Sequence, residues 1–327
     1  MVDGINDSLV DVLLATFNGE KYLYDQVESI RRQTHHNWNM LVSDDGSTDG
    51  TVSLVDKEIG KDQRIHWAER QCGHAGSYAN FMCLLSQSNA DYVMFCDQDD
   101  VWLESKIRIT LEKMKEMERL HQGKPIMVFT DLEVVDHNLN QLFPSFDSMG
   151  NIDPYKSSLK DLIFNPVAPG CTIMLNKELR DIALKLHNSG GVKYHDWWVS
   201  LIAAAFGHIG YVPTSTIKYR QHFDNQVGAT KQSVLKSLLM ATWTSAKGDI
   251  SDSMDRAVEC RQSFGEQISR ENQEALRLYT SIPNSSWYKR IILLKRAGFW
   301  KRGLLRKIGQ TIVTAAMSFP ENERIVQ

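Results

Sequence analysis

The stretch "MFCDQDDVW", Met94 to Trp102, runs apolar residues directly into the carboxylates of Asp97, Asp99 and Asp100. Like charges this close repel one another, and burying them is costly unless a cation or hydrogen bonds compensate them. The Asp-x-Asp spacing suits a hard divalent cation that is held through oxygen and shared with phosphate groups. A second interpretation stays open, because acidic residues also favour the N-terminus of a helix. The stretch therefore predicts a buried strand that ends at a candidate metal site.

This stretch closes the last of four short apolar segments, and each of the four is followed by a segment of helical length. Turn residues mark plausible helix starts at Gly50 and at Gly76. Regular alternation of strand and helix favours right-handed parallel crossovers. We therefore predict an α/β fold with a Rossmann-like, doubly wound, mostly parallel sheet flanked by helices. The predicted strands are Leu9 to Ala15, Met40 to Ser43, Ile65 to Ala68 and Tyr92 to Cys96.

Three polar loops begin where predicted strands stop: "TFNGE" at 16–20, "SDDGSTDGT" at 43–51 and "CDQDD" at 96–100. Ligands of such sheets bind at the carboxyl ends of the strands, so the loops are expected to line one crevice. Alone, "SDDGSTDGT" is also what a tight turn and helix cap require. Beside the other loops, Asp44 or Asp45 could accept a hydrogen bond from the imide N–H of uracil or thymine. The "TFNGE" loop could offer backbone groups to the same nucleoside.

The second half of the chain does not continue the regular alternation of strand and helix. "PIMVFTDLEVVD" predicts a strand, "NPVAPGCTIMLN" a turn that leads into another strand, and "HDWWVSLIAAAFG" a helix. "HIGYVPTSTIKYRQH" is typical of a β-hairpin, and after about residue 230 only helical segments are predicted. We therefore predict a catalytic α/β domain at 1–230 and a helical C-terminal region at 231–327.

Composition excludes several classes of protein. The chain has 327 residues, 42% of them hydrophobic, which is enough for a substantial core. A net charge of -3 gives no case for a nucleic-acid partner. The five cysteines are widely spaced and predict neither a disulfide framework nor a zinc site. The N-terminus has acids where a signal peptide has bases, and no apolar stretch reaches the length of a membrane span, so a cytoplasmic protein is expected.

Taken together, the motifs resemble the family 2 glycosyltransferases of the GT-A fold from about Leu9 to Gly228. Within that family, "DQDDVW", "YRQH" and "NQVG" are most similar to bacterial rhamnosyltransferases of surface polysaccharide (O-antigen) synthesis, which use dTDP-rhamnose. The sequence departs from the family at "RQCGHAGSYANF", where Gln71 stands in place of the usual asparagine. The motifs that carry the resemblance are "LLATFNGEKYLYDQVESIRRQT", "VSDDGSTDGT", "FCDQDDVWLESKI", "PGCTIMLN", "HDWW" and "YRQHFDNQVG".

The resemblance implies an inverting, metal-dependent transfer of a sugar, L-rhamnose from dTDP-rhamnose, to a hydroxyl of a polysaccharide or lipid-linked saccharide. Mg²⁺ or Mn²⁺ would be held by Asp97, Asp99 and His222, with Asp99 as the direct ligand. The nucleotide sugar would bind at Thr16, Phe17, Asn18, Glu20, Asp44, Asp45, Gly73, Asp97, Gln98 and Arg220. The acceptor would bind at Gly170, Cys171, Thr172, His195, Trp197 and Trp198.

Asp196 of "HDWW" occupies the position of the family's general base. One carboxylate suffices to take the proton of the acceptor hydroxyl in an inverting transfer. Asp196 also stands at a predicted helix start, so an N-cap is the competing interpretation. His222 lies at the end of a predicted strand and could equally well complete a hydrogen-bond network. Arg220 could bind phosphate or be a solvated charge.

The segment "WYKRIILLKRAGFWKRGLLRK", 287–307, combines four pairs of bases with apolar and aromatic residues and contains no acid. This composition is typical of a segment that binds a membrane surface. The bases do not gather on one helical face, and Gly298 and Gly303 interrupt the pattern. A basic packing helix or an oligomer contact therefore remains an alternative to peripheral binding at the inner face of the cell membrane.

Three alternatives to a rhamnosyltransferase are retained. The same fold and mechanism could serve a UDP-hexose donor. A sugar nucleotidyltransferase would also use a nucleotide-binding α/β domain, but it would need a glycine-rich, basic phosphate loop after the first strand, and "TFNGEKYL" is not one. A non-catalytic nucleotide-sugar binder is disfavoured because the acid, base and metal positions are all filled.

Overall fold

A computed structural model describes residues 6–69, 76–150, 152–186, 188, 190–221 and 243–319. The chain forms two compact units that interleave along the sequence. Unit 1 comprises Met1–Tyr155, Ala168–Lys185 and Tyr194–Gly228, and unit 2 comprises Lys156–Val167, Leu186–Lys193 and Ala229–Gln327. The predicted boundary at residue 230 lies outside the described residues. The sequence did not predict that two short segments before it would belong to the helical unit.

The described residues of unit 1 form one nine-stranded sheet with the order β3-β2-β1-β4-β8-β6-β9-β5, and β7 pairs with β6 outside this path. Strands β1 to β4 are parallel to one another, and β6 and β9 are parallel. Strand β8 is antiparallel to both of its neighbours. The strands are β1 Val10–Thr16, β2 Trp38–Asp44, β3 Ile65–Trp67, β4 Tyr92–Cys96, β5 Val101–Trp102, β6 Ile126–Val135, β7 Gln141–Phe143, β8 Ile173–Asn176 and β9 His208–Arg220.

Helices cover the sheet, which confirms the predicted α/β fold. Helices α2 and α3 begin at the glycine-marked positions that the sequence indicated, and Gly76 adopts a φ of +82°, which favours glycine. The helices of unit 1 are α1 Leu23–Arg31, α2 Thr51–Ile59, α3 Gly76–Gln87, α4 Lys106–Leu120, α5 Phe146–Gly150, α7 Lys177–Lys185 and α8 His195–Phe206; α6, Leu159–Leu162, belongs to unit 2.

The four N-terminal strands fall within two residues of their predicted positions. Strand β4, "YVMFC", is buried at every residue, because helices cover both faces of a parallel sheet and leave no solvent-facing side. Strand β1 is buried almost throughout for the same reason. Continuous apolar runs therefore predicted these strands reliably.

The predicted hairpin at residues 208–222 is wrong. The described part of this segment is one long strand, β9, which runs parallel to β6. The register shifts where Val212 pairs with Thr130 and Ser215 pairs with Asp131, which leaves Pro213 and its neighbour without a position in the ladder. A proline cannot donate to a sheet, and an irregularity absorbs it without ending the strand. Pro213 therefore lies at a bulge within one strand.

Unit 2 is helical, with its own core around Tyr279 and Phe299. The Tyr279 hydroxyl lies 2.8 Å from Ser253 Oγ, and the rings of Tyr279 and Phe299 are 4.9 Å apart. Arg256 donates from Nε to the carbonyl of Ile163 at 2.9 Å, which ties the early segment to the C-terminal helices. These helices are α9 Trp243–Phe264, α10 Arg270–Thr280, α11 Trp287–Ala297 and α12 Leu304–Ala316.

Cysteine chemistry differs from the expectation at one residue. Cys83 is disulfide-bonded, which the scattered cysteines did not predict. Cys96, Cys171 and Cys260 are free and buried. Among the helices of the described residues, none combines the length and the apolar character needed to cross a membrane.

The interleaved units make a prediction about truncation. A fragment of residues 1–230 keeps Leu159, Leu162 and Ile163, which are buried within unit 2, but loses the C-terminal helices of that unit. Newly exposed apolar surface of this kind promotes association. We expect the fragment to elute as aggregates in size-exclusion chromatography under conditions in which the full chain is monodisperse.

The matched control is the same fragment with residues 156–167 replaced by a glycine-serine linker of equal length. Its recovery of monodisperse material should exceed that of the simple truncation. If the simple truncation is monodisperse and melts cooperatively, residues 156–167 do not need the C-terminal helices of unit 2 to cover their apolar side chains.

Candidate active site

The loops after β1, β2 and β4 meet at one edge of the sheet, because these three strands are neighbours in the order β2-β1-β4. Thr16 donates from Oγ1 to Asp44 Oδ2 at 2.8 Å, which joins the first two loops. Gln98 accepts from the backbone N–H of Phe17 and donates to its carbonyl, both at 2.8 Å. The predicted convergence of the three loops is therefore confirmed.

Asp44 and Asp45 have different positions, although the sequence left them interchangeable. The Asp44 carboxylate accepts from the backbone N–H groups of Gly46 and Ser47 at 2.9 and 2.7 Å, and from the Ser47 hydroxyl at 2.6 Å. With the bond from Thr16, this aspartate is the anchor of its turn. Asp45 is half-buried and accepts from the N–H of Gly76 at 3.0 Å.

The loop after β1 is braced by its own polar residues. Asn18 adopts the left-handed region with φ of 48°, and its Oδ1 accepts from the N–H of Thr48 at 2.8 Å. Glu20 accepts from the N–H of Gly50 at 2.9 Å. A Cβ on Gly50 would lie 2.4 Å from a Glu20 oxygen, so a larger residue there would displace the Glu20 carboxylate. Asn18 and Glu20, both predicted to bind the nucleotide sugar, therefore hold the loop in shape.

Phe17 differs from its neighbours because its side chain is 54% exposed at the rim of the crevice. Gln98 fixes the backbone of this residue, as described above. A Cβ on Gly19 would lie 2.2 Å from Gln98 Oε1, so the glycine allows the amide to reach the loop. Phe17 is thus an apolar surface held in place on a rigid backbone.

The carboxylates after β4 do not group as predicted. Ligand atoms of Asp97, Asp100 and Cys171 lie within 4.8 Å of one another, and Asp99 is not part of this group. Burial, together with the smaller effects of the charges of Asp99 and Asp196, raises the pKa of Asp97 to about 7. Asp99, predicted as the direct metal ligand, therefore acts on the group through its charge, and Asp100, which was not predicted as a ligand, stands beside Asp97.

Asp100 is fully buried and its pKa is raised well above the usual range, first by burial and then by Asp99 and Asp97. Its Oδ1 accepts from the backbone N–H of Arg220 at 3.1 Å. Its Oδ2 receives no hydrogen bond from a nitrogen or oxygen donor within the described residues, and the weak thiol donor of Cys171 lies beside it. A buried carboxylate oxygen in this state is costly unless a cation approaches it.

Lys106 supplies a positive charge below the cluster, and the sequence analysis missed it. Its side chain is fully buried, its Nζ lies 4.7 Å from the ring centre of Trp102, and burial lowers its pKa to about 8. Attraction to Cys171, Cys96 and Asp100 opposes that shift. The lysine within "DDVWLESK" was the available signal, but its spacing alone does not distinguish a buried lysine from a solvated one.

The cluster fits a hard divalent cation through its oxygen donors. Asp97 and Asp100 converge, and the unsatisfied Asp100 oxygen is the feature that a cation would relieve. The Cys171 thiol is a poor candidate, because burial and the two carboxylates raise its pKa well above the usual range and keep it protonated. The predicted ligand His222 and the predicted nucleotide-sugar residue Gly73 lie outside the described residues.

Arg220 does not project into the crevice as a phosphate ligand. Its guanidinium donates to the carbonyls of Asp99 and His137 at 2.9 and 3.0 Å and to the carboxylate of Asp25 at 3.0 Å. It also lies 4.5 Å from the ring centre of Tyr22. With 3% of its surface exposed, Arg220 holds the acidic loop in place. Its assignment to the nucleotide sugar is therefore corrected.

Asp196 lies in the first turn of α8, whose N-cap is Tyr194 and has no side-chain cap bond. The N-cap interpretation of Asp196 is therefore excluded. Its Oδ2 accepts from the N–H of Gly170 at 3.2 Å, and its Oδ1 accepts from the N–H of Trp197 at 2.7 Å. Burial raises its pKa to about 6, which suits a carboxylate that takes up a proton near neutral pH.

Most residues predicted for the acceptor are buried. His195 packs on Phe81 and Phe95 with ring centres 4.0 and 4.6 Å away, and burial lowers its pKa to about 3, so it is neutral. A Cβ on Gly170 would lie 2.7 Å from His195 Nε2. Trp197 is half-buried. Buried side chains cannot contact a saccharide, so four of the predicted residues have packing positions: Cys171, Thr172, His195 and Trp198.

Comparison with known protein families places most of unit 1 in one family. The model described as "Glycosyl transferase family 2" matches residues 11–179. This span includes the three loops and the acidic cluster, and it ends before Asp196.

Several curated proteins are similar over parts of the chain. The dTDP-rhamnosyl transferase RfbG of Shigella flexneri is 28% identical over 66% of this chain and 74% of that protein. The putative teichuronic acid biosynthesis glycosyltransferase TuaG of Bacillus subtilis is 36% identical over 33% of this chain and 42% of that one. The UDP-Glc:alpha-D-GlcNAc-diphosphoundecaprenol beta-1,3-glucosyltransferase WfaP of Escherichia coli is 35% identical over 30% and 38%.

A solved structure shares the fold. Residues 1–349 of S. aureus TarS, in complex with UDP-GlcNAc, match with a TM-score of 0.50, covering 93% of this chain and 90% of that one. At 13% identity the likeness concerns the fold alone.

The contrast between the two neighbouring aspartates gives a stability prediction. Asp44→Ala removes the acceptor of four hydrogen bonds in a half-buried turn and should lower the free energy of unfolding by about 2 kcal/mol or more. Asp45→Ala removes the acceptor of the Gly76 N–H and leaves the bonds within the turn in place, so it should cost less. Chemical denaturation of both variants measures the difference, and equal losses would contradict the anchoring role of Asp44.

Proposed function

The chain belongs to glycosyl transferase family 2, and on that premise we propose that this glycosyltransferase is inverting and metal-dependent, moving a sugar from a nucleotide sugar to a hydroxyl group of a saccharide. The observation that carries the proposal is the position of Asp196. Two backbone N–H groups orient its carboxylate, and it is close enough to Asp97 to raise the pKa of that residue. A base and an acidic cation site thus face one crevice.

The donor we propose is dTDP-L-rhamnose. The similarity to a dTDP-rhamnosyl transferase extends over 74% of that protein and supports this choice. Asp45 is the candidate acceptor for the imide N–H of thymine, because Asp44 is committed to its turn. Uracil presents the same imide, and another relative is named as a UDP-glucose transferase, so a UDP-hexose is the alternative donor.

The acceptor we propose is a saccharide of the cell envelope, carried on a lipid. The names of two relatives refer to teichuronic acid and to a diphosphoundecaprenol-linked sugar. A lipid-linked acceptor would require the enzyme to work at a membrane surface. The basic C-terminal segment supports such a peripheral location.

Asp97 and Asp100 would hold Mg²⁺ or Mn²⁺, which when bound would neutralise the charge that grows on the departing diphosphate. The backbone N–H of Arg220 would hold Asp100 in place, and the buried ammonium of Lys106 attracts the same carboxylate. His222 and Asp99 remain candidates to complete the site.

Asp196 would remove the proton of the acceptor hydroxyl while that oxygen bonds to the anomeric carbon. The bond from the anomeric carbon to the phosphate oxygen breaks on the opposite face, so the configuration inverts. The N–H groups of Gly170 and Trp197 fix the carboxylate, and the half-buried ring of Trp197 can form a wall of the acceptor site. The 3₁₀ turn Gly170–Thr172 is therefore assigned a positioning role.

The base is tested by Asp196→Asn, which keeps the shape of the side chain. Loss of a positioned base should lower kcat by roughly 10² to 10⁴-fold, with little change in the donor KM. The measurement is release of nucleoside diphosphate in the presence of acceptor, beside donor binding by calorimetry. In the wild type, kcat should fall as the pH drops below about 6, because the base becomes protonated.

The matched control is Asp91→Asn, an exposed carboxylate just before β4 and so at the other end of that strand from the site. It should leave both measurements unchanged. Near-wild-type transfer by Asp196→Asn would remove Asp196 from the mechanism, and lost donor binding would move it to the nucleotide side.

The cation site is tested by Asp97→Asn. Because this carboxylate faces Asp100 in the cluster, its loss should weaken Mn²⁺ binding at least about tenfold and reduce transfer to a similar degree. Calorimetric titration with Mn²⁺ and diphosphate release measure the two effects. Full activity of the wild type in excess EDTA would overturn the metal assignment.

A further inference from the structure

Helix α12 carries apolar side chains on two opposite faces, although packing within unit 2 uses one of them. Val313 lies on the buried face together with Gln310 and Thr314. At about 100° per residue, Leu304, Leu305, Ile308 and Ile312 fall within an arc of roughly 100° on the other side. A helix that only packs on its own protein has no need of this second face.

These four side chains are well exposed. Their exposed fractions are 75% for Leu304, 84% for Leu305, 49% for Ile308 and 56% for Ile312. Single exposed leucines are ordinary, but a contiguous row on one helix face marks an interaction site. We name this row the α12 stripe.

Helix α11 lies antiparallel to α12 and adds to the same character. Arg290, near the start of α11, donates to the carbonyl of Met317, just beyond the end of α12, at 2.6 Å. Gly298, with φ of 79°, ends α11 and allows the chain to turn back. Trp287 and Ile292 of α11 are 65% and 54% exposed. The glycines that obscured the pattern in the sequence thus separate two helices.

The bases of the segment divide into two groups. Arg290, Lys301 and Arg302 are used inside unit 2, on Met317, Asp249 and Lys156. Five others are exposed, and no acidic residue occurs between 287 and 319. The exposed bases are Lys289, Lys295, Arg296, Arg306 and Lys307. One of these five, Arg296, also lies 4.0 Å from the carboxylate of Glu274 in unit 2, so packing accounts for four bases and leaves Lys289, Lys295, Arg306 and Lys307.

We propose that the α12 stripe inserts into the interfacial region of an anionic lipid bilayer while the exposed bases Lys289, Lys295, Arg306 and Lys307 contact its headgroups. Exposed leucine and isoleucine beside arginine and lysine match the apolar and anionic layers of such a surface. A second copy of the chain is a poorer occupant, because a symmetric contact would bring the same positive charges together. The inference deepens the proposed membrane association, and it can be tested without sugar transfer.

The experiment is cosedimentation of the full chain with vesicles of phosphatidylcholine, alone or mixed with phosphatidylglycerol. The wild type should bind the mixed vesicles, and added salt should weaken binding. The double variant Leu304→Gln/Leu305→Gln should lose at least about tenfold in affinity, because insertion needs apolar side chains. Leu120→Gln, which replaces a 67% exposed leucine of α4, is the matched control and should bind like the wild type.

Equal binding by the wild type and the double variant would overturn the proposal, as would a wild type that ignores anionic vesicles. Sedimentation of the proteins without vesicles tests self-association. A wild-type dimer that is absent in the double variant would assign the stripe to a contact between two copies and overturn the proposal. Diphosphate release with a soluble acceptor should be the same in both proteins. Vesicle binding without any release would refute the proposed function alone.

Discussion

The buried carboxylates at the end of β4 are the constraint on which the rest of unit 1 depends. Three acids within four residues repel one another, and Asp100 is wholly inside the protein. The positive charge of Lys106 is attracted to Asp100, and the Arg220 guanidinium donates a hydrogen bond to the carbonyl of Asp99 in the acidic loop. These contacts offset part of the repulsion and leave one Asp100 oxygen unsatisfied. A cation bound at this oxygen would compensate the remaining negative charge.

The same constraint explains why so many polar residues near the crevice have structural roles. A loop that holds charged groups in place must itself be rigid, so Asn18, Glu20 and Asp44 are committed to backbone N–H groups. Gln98 links the first loop to the acidic one through two hydrogen bonds. Fewer of these side chains than the motifs suggest are therefore proposed to contact a ligand, chiefly Phe17, Asp45 and Asp97.

Residues on the acceptor side follow the same division between positioning and chemistry. His195 is neutral and buried against two phenylalanines. Its imidazole lies where a Cβ at position 170 would be, so glycine is favoured at that position. The backbone of Gly170 is thereby brought to the Asp196 carboxylate. The motif "HDWW" thus contains the carboxylate that we propose as the base, a buried imidazole, a half-buried indole and a buried one.

The sequence by itself determined the alternation of strand and helix, the parallel strands β1 to β4 and the edge at which their loops meet, because apolar runs and turn residues are local signals. Only the tertiary structure decided which of two adjacent aspartates anchors a turn, that Asp100 and not Asp99 joins Asp97, and that Arg220 points inward. It also decided that Pro213 marks a bulge and that early segments complete the helical unit. These outcomes depend on partners distant along the chain, Gly76, Cys171, Asp25 and Arg256 among them, and spacing within a motif carries no information about such partners.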